Sequence, residues 1–144
     1  MRYLITLTLA GLLSGCAAAG SINALPVISE GTPSGTVTVV RPSAFVGGTN
    51  SYIVTVGNTE IFRINSGQHT RFTLPAGPQT IGVRCFGGWT PTWKESTTQI
   101  TVTADSVHIL EISPSGTCAE IVPRPSIQAD ELVTATEYIP LDPS

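Results

Sequence analysis

The sequence predicts an all-β domain, a single antiparallel β-sandwich of about seven short strands. Three observations point there. Alternating apolar and polar residues recur about every 8 to 12 residues, the spacing of sandwich and barrel strands. Two β-rich runs, Tyr52–Val56 and Thr59–Ile64, are joined by Gly57-Asn58, and both of these residues tolerate the positive φ of primed hairpin turns. Beyond the N-terminal apolar run, no period of three or four apolar residues competes with the alternation.

The strands are expected in order. Residues 36–40 form the first, with Val37 and Val39 on one face, and RPSAFVGGTN is a loop before the hairpin. Residues 70–74 follow, and the PAGP turn leads into residues 79–85, where Ile81, Val83 and Cys85 share one parity and Thr80, Gly82 and Arg84 the other. Cys85 therefore points to the core. Residues 97–102 place Ile100 and Val102 inward, Ala104-Asp105-Ser106 turns the chain, and residues 107–113 and 118–122 end the set. In the tail, 123–144, Ser126 could cap a helical turn, but extended structure is the expected form.

The N-terminus, MRYLITLTLAGLLSGC, has one cation, Arg2, then an uncharged apolar run and small residues, the three-part layout of an export signal too short to span a bilayer. Leu13-Ser14-Gly15-Cys16 resembles the bacterial lipobox, which implies a signal peptide over 1–15 and lipidation of Cys16. Such a chain is anchored to a membrane without crossing it. Ala17 stands where, by resemblance to enterobacterial sorting, an aspartate would retain the protein at the inner membrane. The periplasmic face of the outer membrane is therefore the expected address. Residues 16–35, small, polar and broken by Pro26 and Pro33, read as lipidated end and flexible tether, leaving 36–122 as the domain.

Composition excludes some partners. Only 12% of residues are charged and the net charge is −3, so the chain lacks the basic footprint of a nucleic-acid binder. Cys85 and Cys118 are an even pair in an exported chain, where oxidising conditions favour a disulfide.

Several stretches resemble a known family. GTVTVVRPSAFVGG, SYIVTVGNTEIFRINSG and TRFTLPAGPQTIGV are similar, in that order, to the bacterial lipoprotein family described by the DUF2846 domain, related to small PEGA-like β modules. The matching punctuation is Arg41-Pro42, Gly57-Asn58 and Leu74-Pro75-Ala76-Gly77, over roughly residues 35 to 122, with Ala76 where a second proline is common. The resemblance implies an immunoglobulin-like or PEGA-like sandwich and a lipoprotein's address, and it brings no catalytic or ligand residues.

Chemistry-bearing sets are sparse. There is no Gly-x-Ser-x-Gly elbow, and His69, in the polar turn NSGQHT, and His108, on a strand, are expected as a solvated turn residue and a strand-face residue. Glu60, Glu95, Glu111 and Glu120 lie on separate strands and are expected to face water, while Gly47-Gly48 and Gly87-Gly88 lack the strand-to-helix context of a phosphate cradle. No enzyme activity, metal or cofactor is expected.

CFGGWTPTW, residues 85 to 93, is the one candidate for specific function. Phe86, Trp89 and Trp93 could offer aromatic faces to a polysaccharide or peptidoglycan. Alternatively a tryptophan folds back over the Cys85–Cys118 bridge as a plug, with Gly87-Gly88 allowing the reversal. A plug is the expected arrangement, because a small sandwich with four Phe, two Trp and three Tyr can hardly spare its largest side chains. The expected role is a non-catalytic envelope module that meets a protein partner through a sheet edge or this loop, with carbohydrate binding as the alternative.

Overall fold

The computed structural model describes residues 18–44, 50–87, 92–116 and 118–141. Two five-stranded sheets face each other. One has the order β1 (Gly20–Ser21), β4 (Thr59–Ile64), β3 (Tyr52–Val56), β6 (Gly77–Gly87) and β7 (Thr92–Val102). The other runs β10 (Glu137–Tyr138), β5 (Gln68–Pro75), β2 (Ser34–Arg41), β8 (Val107–Ser115) and β9 (Cys118–Arg124). The all-β sandwich expected from the alternation is present, and its β3–β4 hairpin turns at Gly57 with φ +59. Two pairings depart from a purely antiparallel plan: β2 runs parallel to β8, and β10 parallel to β5.

Apolar residues fill the space between the sheets, among them Val37, Val39, Ile81, Val83, Ile100 and Val102 of the predicted parity. Val54, Phe62, Leu74, Leu110 and Ile112 are buried there with them. At one end the sheets are joined covalently by Cys85 on β6 and Cys118 on β9, with Cα atoms 5.8 Å apart. Closing a loop of 33 residues stabilises the fold by about 3 to 4 kcal/mol in the chain-entropy model.

Arg41, at the end of β2, is buried. Its guanidinium lies 3.8 Å from the centre of the Tyr52 ring and donates to the carbonyls of Ile64 (3.0 Å) and Asn50. A buried charge is tolerated only with such partners. Burial lowers its pKa from the usual arginine value, with Tyr52 acting in the opposite direction.

The chain's ends differ from expectation. Within the segment read as a tether, Gly20 and Ser21 pair with Arg63 and Phe62 of β4, and Leu25 packs on the core, covering what would otherwise be an open sheet edge. The tail, expected to be extended, forms the helix α1 (Ser126–Thr134) before β10. Pro125, not Ser126, is its N-cap, no side chain caps it, and its first turn carries no acid. What holds it is burial: Ala129, Leu132 and Val133, at i, i+3 and i+4, cover Val40 and Ile109 on the outer face of the β2 sheet.

His69 shows the same tertiary override. Expected in a solvated turn, it lies in β5 and is buried where the tail docks. Thr136 Oγ1 donates to the carbonyls of Leu132 and Val133, so it accepts from His69 Nδ1–H at 2.8 Å. Tyr138 lies against the imidazole, ring centres 5.4 Å apart, and Glu137 and Ile139 N–H donate to the carbonyls of Gly67 and His69. Burial, then the nearby Arg71, lowers the His69 pKa, while the Thr136 backbone opposes them by hydrogen bonding. A histidine whose folded pKa is depressed leaves the unfolded chain binding more protons below its ordinary value of about 6.5, so stability falls as pH drops through that value. Urea titrations at pH 7.5 and 5 should therefore show a smaller acid loss in His69→Gln than in the parent chain. An equal loss in both would remove His69 as the cause.

Candidate functional site

Alternation along β6 positions the candidate site. Cys85 points into the core, so Arg84 and Phe86 must point out. In the β6–β7 ladder Phe86 lies opposite Trp93 and Arg84 opposite Glu95, which places all four on the outer face of one sheet.

Phe86 is 51% exposed and Trp93 52% exposed, their ring centres 5.4 Å apart and their planes inclined by 56°. The plug is thus not what these two residues form: both stand outside the core. Trp89 and Gly88 lie outside the described residues, as do Cys16 and the Gly47-Gly48 pair. Phe86 and Trp93 are also not loop residues, because β6 and β7 extend to Gly87 and Thr92. The segment 92–96 escaped a strand assignment because its inward positions, Lys94 and Ser96, are polar. They are half-buried beside Gly116 and Glu120 near the disulfide, where the sandwich core gives way to an open groove.

The surroundings of the rings are ordered by charge. The Arg84 guanidinium lies 5.3 Å from the Trp93 ring centre and pairs with Glu60, reaching across β3 to do so. Both partners are about one-third exposed, so the pair contributes at most about 1 kcal/mol, and its effect is to orient the guanidinium beside the indole. Glu95 is held by a hydrogen bond from Thr55 Oγ1 at 3.0 Å. That bond passes directly over Gly82: a Cβ built there would strike Thr55 Oγ1 and lie 2.9 Å from Glu95 Oε1.

The other chemistry-bearing residues are dispersed. Glu111 pairs with Arg124 at 2.6 Å, Glu120 accepts from Ser115, and His69 belongs to the tail contact. His108 Nε2 lies 3.2 Å from Ser106 Oγ, but that hydroxyl donates to the Thr103 carbonyl at 2.8 Å, closing a turn. Among the described residues no three His, Cys, Asp or Glu side chains gather as a metal site, and no helix is long and apolar enough to cross a membrane.

No protein-family model, curated protein or solved structure matches this chain.

Arg84, Glu60, Thr55, Gly82 and Glu95 complete the site around Phe86 and Trp93. The signal that could have found two of them is parity, since a strand assigned with Cys85 inward already places Gly82 and Arg84 outward. The clash at Gly82 makes a direct test. Gly82→Ala should destabilise the domain by about 1 to 3 kcal/mol, as overpacking does. Adding Thr55→Ala should recover part of that loss in urea titration, and no recovery would show that the contact with Thr55 is not the cause.

Proposed function

We propose that this chain is an exported lipoprotein of the DUF2846 type, anchored through Cys16 at the periplasmic face of the outer membrane. Its sandwich domain acts as a non-catalytic module that binds an envelope protein partner. The observation that carries the proposal is the exposed Phe86–Trp93 pair with Arg84 beside it. Aromatic and arginine side chains are the commonest anchors of protein interfaces, and here they stand on two paired strands, whose ladder fixes the backbone that carries them.

Carbohydrate binding is the second reading, supported by a different observation. Trp93 presents a half-exposed indole with Arg84 beside it and Glu95 on the same face of β7, an apolar face with polar handles. The 56° inclination weighs against a flat platform made of both rings.

Membrane anchoring has its own test: Cys16→Ala should move the protein from the membrane to the soluble fraction, and a mutant that stays with membranes would overturn the anchor. For the site, a photo-cross-linking amino acid at Phe86 in the full chain should trap one discrete protein in intact envelopes, and Trp93→Ala should abolish that product. If no product forms, and muropeptides protect Trp93 from acrylamide in a Trp89→Phe chain, the carbohydrate reading takes its place.

A further inference from the structure

The opposite sheet has a second binding feature, independent of the aromatic pair. Its edge strand β5 is only partly covered. The cover, β10, is two residues long and runs parallel to β5, with Glu137 N–H donating to the Gly67 carbonyl (2.8 Å) and Ile139 N–H to the His69 carbonyl (2.9 Å). Gly67 N–H still donates to the Arg41 carbonyl of β2 (2.9 Å), but Ala76 N–H donates to the Pro33 carbonyl, so from His69 onward the even-numbered residues face β2 and the odd-numbered ones turn their backbone groups away from it. In an antiparallel ladder that alternation continues, so Arg71 and Thr73 also present N–H and C=O groups to the outside.

Those groups open onto a groove of about 410 Å³. Phe72 of β5, Leu25 and the largely exposed Val27 of the N-terminal segment, and Leu141 of the tail line it. The described part of the tail does not extend the pairing along it: Pro140 has no N–H, and no backbone hydrogen bond joins Leu141 to Arg71 among the described residues.

We infer that this groove takes an extended peptide segment of a partner protein, added to the edge of β5 as a parallel strand. The short β10 already demonstrates the geometry: the same edge accepts a strand in that direction through alternate N–H groups. Backbone donors and acceptors lining the groove distinguish a peptide from an acyl chain, which could pair with none of them. The chemistry of the segment follows from its walls. Alternate residues facing Leu25, Phe72 and Leu141 are apolar. Those on the other side meet Arg71, which makes no ion pair among the described residues, in a lining that contains no acid, so they include a carboxylate.

The test uses the full chain in detergent micelles and the synthetic peptide acetyl-Val-Asp-Val-Glu-Val-Thr-amide, with amide hydrogen exchange as the readout. In the free chain the amides of Arg71 and Thr73 should exchange fast while that of Phe72, turned toward β2, is protected. The peptide should slow Arg71 and Thr73 by about tenfold or more, and a version N-methylated at alternate residues should not. Thr73→Pro removes an outward N–H that the sheet does not use, so it should abolish peptide binding and leave the circular dichroism spectrum unchanged. Arg71→Glu should shift preference to a peptide with Lys in place of Asp and Glu. Phe86→Ala with Trp93→Ala should leave binding intact, which separates this surface from the aromatic site. Arg71 and Thr73 amides already as protected as Phe72 in the free chain, or unchanged by millimolar peptide, would overturn the inference.

Discussion

The burial of β2 on both of its faces is the constraint on which the rest of the structure depends. Val37 and Val39 point into the core between the sheets, while Thr38 and Val40 point the other way and are equally buried. A strand buried on both faces needs a cover on each, and one sheet can supply only one of them. The second cover is the C-terminal helix, which holds Ala129, Leu132 and Val133 over Val40 and Ile109. That requirement turns a weakly helical, uncapped segment into part of the fold and brings Thr136 and Tyr138 to His69.

From this arrangement the two sheets acquire different outer faces. The β2 sheet hides part of its outer face, around Val40 and Ile109, beneath the tail, and at its edge β5 has more backbone groups than the two-residue β10 can pair. Among the described residues no helix covers the β6 sheet. Its outer face is instead organised by cross-strand pairs of side chains, Arg84 with Glu60 and Thr55 with Glu95, which surround the aromatic pair. The disulfide between Cys85 and Cys118 ties the sheets together at the end where the inward positions of β7 turn polar and apolar packing fades. A covalent link there substitutes for burial that Lys94 and Ser96 cannot provide.

Much of this was legible residue by residue. The hairpin bounds Tyr52–Val56 and Thr59–Ile64 coincide with β3 and β4, because period two, β-branched residues and Gly57-Asn58 all agree. The inward set Ile81, Val83 and Cys85 also follows from alternation. Legibility fails where local and tertiary preferences diverge. Residues 92–96 are too polar to read as a strand, yet β6 offers them a full ladder. His69 reads as a turn residue from NSGQHT, yet the returning tail buries it.

By itself, then, the sequence determined the fold class, the parity of the core strands and the availability of Cys85 and Cys118 for pairing. Those depend on contacts whose partners are set by periodicity and composition, and they survive without knowing which elements meet. Only the tertiary structure decided that Phe86 and Trp93 stand outside the core, that the tail is helical, and which edge of which sheet stays open. Each of these rests on burial by a segment distant in the chain, and local pattern carries no record of which distant segment will arrive.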